Sequence, residues 1–323
     1  MTEINFTNEP KYSEHKVDEA FNERRKILVP QIKELISTHP LFLNKKVDVT
    51  FMHNGVSSLV CRLDTHEDKK ILKIPLSILN PRLEGKFLKA WADAGVKTPY
   101  IFEEGSIGKH SYIIMENIEA KTLRETYDSK ELIEKNIYKN LGETLRKMHK
   151  PRTIGYSDAS NIKSEPVYNN ISDWLENDSR NVEKFKYVSD HKLLDPEKSG
   201  SLEQAIKILK LKIGDNNETT YCHDDFGVGN IFATDPITVF DPHACFNHPY
   251  MDLARSIILS GAESVEKQYT EGYFKNEKYD RKLLQAFLIL STALKLPYVH
   301  KKNDFERVKR MQEYLEKTKK YLD

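Results

Sequence analysis

Between residues 47 and 116 apolar and polar positions alternate in short runs, and beyond residue 118 the apolar spacing lengthens to that of helices. Residues 47–52 alternate, Asn54-Gly55 is a pair suited to a tight turn, and residues 58–63 resume the alternation. The polar stretch 64–68 leads into a third strand at 70–75, a helix at 81–94, and further strands at 100–104 and 112–116. Upstream, Val17, Phe21, Ile27, Leu28, Ile32, Leu35 and Ile36 lean to one side of a helix over 14–38. Pro30 should kink or divide it, because proline removes a backbone donor. Downstream, the spacing predicts one long amphipathic helix at 129–149 and others at 201–211, 251–261, 279–294 and 304–322. The chain thus reads as α+β: a helical extension over 1–45, a strand-rich lobe over 46–118 and a mainly helical lobe over 119–323.

Composition narrows the classes of function. With 323 residues and 39% hydrophobic content the chain can bury a sizeable core, while a mean hydropathy of -0.61 implies a very polar surface. Fifty basic residues against 49 acidic ones leave a formal net charge of +1, which offers no global field for nucleic acid or an anionic membrane. Apolar stretches such as 286–296 look too short and interrupted to span a bilayer. Residues 1–10 lack the basic and apolar regions of a secretory signal. Three cysteines, Cys61, Cys222 and Cys245, form no CxxC spacing and argue against a disulfide scaffold or zinc site. The expectation is a cytoplasmic protein whose partner is a small molecule, with neither nucleic acid nor membrane as partner.

The chemistry concentrates in residues 221–241. The run His223-Asp224-Asp225-Phe226-Gly227-Val228-Gly229-Asn230 is followed by a turn at Thr234-Asp235-Pro236 and a short apolar run ending in Asp241. An acid followed five residues later by Asn, in a loop before a short hairpin, suits phosphoryl transfer. Asp225 can accept or orient the proton of an attacking hydroxyl, and the Asn230 amide oxygen can ligate Mg²⁺. Asp241, delivered by Val239-Phe240, would be a second metal ligand, and two protein oxygens plus nucleotide phosphates meet the usual needs of Mg²⁺.

This run resembles the catalytic loop of the aminoglycoside phosphotransferase and choline kinase family, which reads His-Gly-Asp, four residues, Asn. The resemblance implies a two-lobed protein-kinase-like fold with a five-stranded antiparallel sheet in the N-terminal lobe. It also implies use of ATP and Mg²⁺. Asp225 then matches the catalytic Asp, Asn230 and Asp241 the metal-binding pair, and Asp252 the downstream structural Asp. Asp224 stands where the family usually has Gly. Asp224 itself lies six residues from Asn230 instead of five, so Asp225 is the favoured base. Asp225-Phe226-Gly227 spells the metal-binding triplet of protein kinases, but it precedes the Asn instead of following it. Lys73, ending the third strand, is similar to the phosphate-binding lysine, with Glu84 in the next helix placed to hold it. Gly55, Ser57 and Ser58 occupy the place of the phosphate-covering turn. Glu116 C=O and Ile118 N–H correspond to the adenine-binding hinge, and residues 141–149 resemble the helix preceding the substrate region. Asp241-Pro242 resembles the variant of fructosamine kinases and some antibiotic kinases.

Each signal has an ordinary reading. Lys73 alone would be a strand-end lysine and Glu84 a solvated helix residue. His223 reads as structural, and Asp252 as a helix cap that also holds the catalytic loop. Cys222 and Cys245 read as buried apolar residues, Trp91 and Trp174 as packing, and His243 and His248 as loop residues near substrate. A protein kinase is disfavoured by the absence of a full GxGxxG loop and of Ala-Pro-Glu. The expected activity is transfer of the γ-phosphate to a hydroxyl of an aminoglycoside-like antibiotic, sugar or amino alcohol. The alternative is a catalytically inactive, nucleotide-binding regulator of the same fold.

Overall fold

The structure is a computed structural model that describes residues 2–10, 19–53, 58–76, 83–157, 165–261, 263–275, 277–319 and 322. It divides into two compact units, residues 1–89 with 98–120 and residues 90–97 with 121–323.

The first unit is a six-stranded sheet in the order β1-β2-β3-β4-β6-β5. Its elements are β1 (Glu3–Phe6), α1 (Glu19–Thr38), β2 (Lys46–Met52), β3 (Ser58–Asp64), β4 (Lys69–Pro75), the first six residues of α2 (Glu84–Asp93), β5 (Ile101–Ile107) and β6 (His110–Glu116), while residues 90–93 of α2, with Trp91, belong to the second unit. The five expected strands are present and antiparallel. The N-terminal segment differs from its expectation as a helical extension: Glu3–Phe6 is a strand that pairs parallel to β2, Ile4 opposite Val47 and Phe6 opposite Val49. A parallel pair needs a crossover of a dozen or more residues, and α1 supplies it. Four residues of alternation were too short a run to register as a strand. Leu28, Ile32 and Ile36 of α1 are buried in one cluster with Val47, Val49, Leu63 and Leu72. Each buried aliphatic there contributes roughly 1.5–3 kcal/mol relative to exposure, so α1 is part of the core. Pro30 lies inside α1 without ending it.

The second unit carries α3 (Leu123–Thr126), α4 (Ser129–Glu134), α5 (Ile137–Met148), β7 (Arg152–Ile154), α6 (Ile171–Asn177), α7 (Ser179–Asp190) and α8 (Pro196–Ile213). There follow β8 (Glu218–Cys222), β9 (Ile231–Phe232), β10 (Thr238–Val239), β11 (Cys245–Asn247), α9 (Pro249–Ser260), α10 (Glu263–Phe274), α11 (Arg281–Lys301) and α12 (Phe305–Lys319). The single helix expected at 129–149 is two, because Asn136 adopts φ 53, a left-handed conformation that interrupts the hydrogen-bond ladder. Helix α11 runs past Pro297 to Lys301, longer than expected. Among the described residues it is the one helix long and apolar enough to cross a membrane, but 78% of its apolar window is buried inside the protein. It serves here as a core helix.

Helices α5 and α10 touch at two glycines. A Cβ on Gly142 would run into the backbone of Tyr269 and Tyr273, and one on Gly272 into that of Lys139 and Glu143. Gly142→Ala would gain about 1 kcal/mol of helix propensity. The colliding atoms are backbone and cannot rotate away, so overpacking of about 1–3 kcal/mol or more should prevail. A lower urea midpoint for the variant is expected, and an unchanged or raised midpoint would show that the helices separate freely.

Candidate active site

In the first unit, β4 is flanked by β3 and β6, with Lys73 opposite Val60 on one side and Ile113 on the other. The strand sends Lys73 to Glu84, the first residue of α2, where an acid is also favoured by the helix dipole. The Lys73 ammonium lies 2.9 Å from Glu84 Oε1 and 2.6 Å from Oε2, with the side chains 6% and 4% exposed. A buried, hydrogen-bonded cation of this kind is a fixed point charge suited to phosphate. Ser58, opposite Pro75 at the start of β3, is buried, and its hydroxyl has no hydrogen-bond partner among the described residues. An orphaned hydroxyl fits an oxygen-rich ligand. Gly55 and Ser57 lie outside the described residues. Glu116 ends β6 opposite Lys70, its carboxylate accepting the Tyr100 N–H at 3.1 Å. Ile118 follows in irregular chain, its C=O accepting from Ala120 N–H at 3.0 Å.

In the second unit, β8 is the middle strand of the sheet β11-β8-β7 and feeds directly into the loop 223–230. The loop then enters the β9-β10 hairpin, in which Val239 pairs with Ile231 and Thr238 with Phe232. The ladder continues one step further, with Phe240 N–H donating to Asn230 C=O at 3.2 Å and the Phe232 and Phe240 rings stacked at 4.1 Å. Asp241 is therefore the next residue in the chain beyond the partner of Asn230. The Asn230 amide nitrogen donates to the Asp225 carboxylate at 2.9 Å and to the Asp225 C=O at 2.9 Å. With its nitrogen so used, Asn230 presents its oxygen to whatever lies on the other side. Asp241 has φ 51 and Asp224 φ 62, conformations that non-glycine residues adopt at a cost and that gather at functional sites. Hard oxygen donors from Asn230 and Asp241 fit Mg²⁺.

Asp252 ties the loop down. It is fully buried, and its carboxylate accepts the backbone N–H groups of His223 at 2.7 Å and Asp224 at 2.8 Å. His149 Nε2 lies 3.1 Å from the same carboxylate, and Tyr273 O–H lies 2.7 Å from His149 Nδ1. Burial opposes the charge of Asp252. Hydrogen bonding and charge from His149, with the His223 N–H, outweigh it and hold the carboxyl below the usual range. Asp252 does not cap α9; the cap is His248, whose Nδ1 accepts the Tyr250 N–H at 3.1 Å. That bond and its stacking on Phe287 give His248 a structural part. His149, Cys222 and Asp252 lie close enough to share a cation, yet both Asp252 oxygens are already engaged by N–H donors.

His223 stacks on Trp91 at 5.6 Å with an interplanar angle of 1°. Its Nε2 lies 3.0 Å from Phe240 C=O, and its Nδ1 accepts the Asp225 N–H at 3.3 Å. Together these contacts brace the loop. Trp91 Nε1 donates to Tyr221 C=O at 3.2 Å, beneath the same loop. Cys222 and Cys245 are cross-strand neighbours, and burial pushes the Cys222 thiol up to about 11, as expected of inert core residues.

Asp224 does not stand as a bare second carboxylate. Arg255 pairs with it, and His243 Nδ1 lies 3.3 Å away. The sequence marks neither Arg255 nor Lys295 strongly; the one cue is that Arg255 follows Asp252 by three residues and so shares its helix face.

The chain matches the profile of the phosphotransferase enzyme family, APH, over residues 48–284. No curated protein matches it significantly. Among solved structures it is similar to a thermostable variant of aminoglycoside phosphotransferase APH(4)-Ia in ternary complex with AMP-PNP and hygromycin B. The identity is 18%, the TM-score 0.60, and the match covers 90% of this chain and 97% of that one. A choline/ethanolamine kinase family protein from Mesorhizobium loti is 15% identical at TM-score 0.59, covering 90% and 94%. A putative fructosamine-3-kinase from Haemophilus somnus is 14% identical at TM-score 0.54, covering 89% and 96%. Identities this low speak to the fold.

Proposed function

The chain belongs to the phosphotransferase enzyme family; from that premise we propose that it is a small-molecule kinase, transferring the γ-phosphoryl group of ATP, with Mg²⁺, to an alcohol. The acceptor is a sugar, an amino alcohol or an aminoglycoside-like compound. Asp225 accepts the proton as the acceptor oxygen bonds to the γ-phosphorus, and the bond to the β-phosphate oxygen breaks with its electron pair leaving on ADP. Asn230 holds Asp225 by its amide N–H and offers its oxygen, together with the Asp241 carboxylate, to the metal. Bound there, Mg²⁺ supplies charge neutralisation at the transferring group. Lys73 takes phosphate charge, and Glu84 fixes where that ammonium sits. Most of the acceleration comes from positioning and fixed charge, since the transferring phosphoryl needs little covalent help.

The observation that supports this reading is the hairpin register, in which Asp241 follows the residue paired with Asn230, together with the hydrogen bond from Asn230 to Asp225. It is tested by incubating the protein with MgATP and a panel of sugars, amino alcohols and antibiotics, and reading acceptor masses for an added phosphate. At least one acceptor should gain it. Tight nucleotide binding with no phosphorylated product from any acceptor would favour the inactive regulator.

A further inference from the structure

Beside the loop, the second unit has a recess lined by Asp224, Arg255, Ile258, Leu259, Ser291 and Lys295. Two of these groups answer each other: Arg255 and Asp224 are paired, with side chains 15% and 5% exposed. Lys295 is different. It projects from α11 with its ammonium 4.7 Å from the centre of the Tyr298 ring, and it makes no hydrogen bond or ion pair among the described residues. Burial lowers its pKa; the Asp225 and Asp224 carboxylates act against that, while Arg255 and Arg307 reinforce it.

A desolvated ammonium with only a ring face for company is costly unless an anion completes it. Asp225 is the largest influence of opposite sign, but on the phosphotransferase reading its carboxylate is committed to the acceptor hydroxyl. A polyamine entering here would meet Arg255, Lys295 and the field of Arg307. An acceptor bearing a carboxylate or phosphate would meet an ammonium in the recess that Asp224, the residue before the base, also lines. We propose that Lys295, backed by the Arg255–Asp224 pair, is a specificity-determining residue that binds an oxyanion carried by the acceptor. The preferred acceptors are then hydroxy acids or sugar phosphates, not polyamines. The inference rests on the kinase reading above and narrows it. The other source of such an oxyanion is the nucleotide's own γ-phosphoryl.

Pyridoxal 5′-phosphate serves as a probe that needs neither turnover nor the true acceptor. Its phosphate seeks an oxyanion site and its aldehyde condenses with a neutral amine, releasing water. Borohydride then reduces the imine to a stable amine. The full chain is treated with substoichiometric reagent, reduced, and mapped by peptide mass spectrometry. Lys295 should be modified faster than exposed Lys302, which lies over the same Tyr298 ring at 4.5 Å. Excess D-glucuronate or D-glucose 6-phosphate should suppress the Lys295 signal, while D-glucosamine and Mg-AMP-PNP should leave it. Equal modification of the two lysines, no suppression by either anion, or equal suppression by glucosamine would overturn the proposal. Suppression by the nucleotide would assign the oxyanion to ATP and overturn it too. With an anionic acceptor in hand, Lys295→Met should raise KM roughly tenfold or more with a smaller change in kcat. Failure of the kinase reading itself would show separately, as absent phosphate transfer, since the labelling requires none.

Discussion

Asp225→Asn is expected to lower kcat by about 10²- to 10⁴-fold, the usual contribution of a positioned general base, while nucleotide binding stays largely intact. The asparagine is the informative replacement. Its side-chain oxygen can still accept the Asn230 amide N–H that the carboxylate accepts at 2.9 Å, so the loop keeps its shape and only proton acceptance is lost. Asp225→Ala removes both. If orientation were the whole role of Asp225, the Asn variant would recover most of the activity missing from the Ala variant. If proton acceptance is the role, both variants fall together. Steady-state rates on a phosphorylated acceptor, beside calorimetric titration with Mg-AMP-PNP, separate the cases. Retained turnover in Asp225→Asn would remove the base from the proposed mechanism.

The second large effect is expected at Asp252. Its carboxylate satisfies two backbone N–H groups of the catalytic loop and His149 together, in complete burial. Asp252→Asn keeps one acceptor oxygen and turns an NH₂ toward a donor. Breaking a buried charged network by changing one member costs about 3–5 kcal/mol, and the loop bearing Asp225 loses its anchor. The folded carboxyl titrates below its ordinary value, so its stabilisation is complete above the unfolded pKa of about 3.9. It is lost as pH falls through the lower, folded value. Urea melts should therefore show a stability gap between wild type and variant that is constant near neutrality and shrinks below about pH 4. A gap unchanged down to pH 3 would mean that Asp252 contributes by shape and not by charge.

Part of the local geometry around the loop was legible in the sequence. The five-residue interval from Asp225 to Asn230 and the turn before Asp241 are local features, and a two-stranded hairpin converts such spacing into proximity by itself. The pairing of Lys73 with Glu84 was also within reach, because one strand and the helix after it set their separation. What stayed hidden depends on contacts distant in sequence. Nothing near residue 295 marks a lysine whose charge is felt by residue 225, because that relation exists only once α11 is packed. The cap of α9 was assigned to Asp252 because acids are common at helix starts. Pro249 at the first helical position points instead to the residue before it, His248, as the cap. The strand at Glu3–Phe6 was missed for a different reason: its partner lies forty residues on, and four residues carry too little periodicity to be seen alone.

That strand and the helix after it bear on where the folding unit ends. The family likeness begins at residue 48 and stops at 284, yet Leu28, Ile32 and Ile36 fill the hydrophobic interior that the strands after 48 share. A chain trimmed to the limits of the likeness would be hollow on one side. It would also bare the outer ladder of the remaining sheet, an open template for association between copies. In this protein the reach of the family profile and the reach of the folding unit differ: a segment that precedes the profile fills the interior that the profiled strands share.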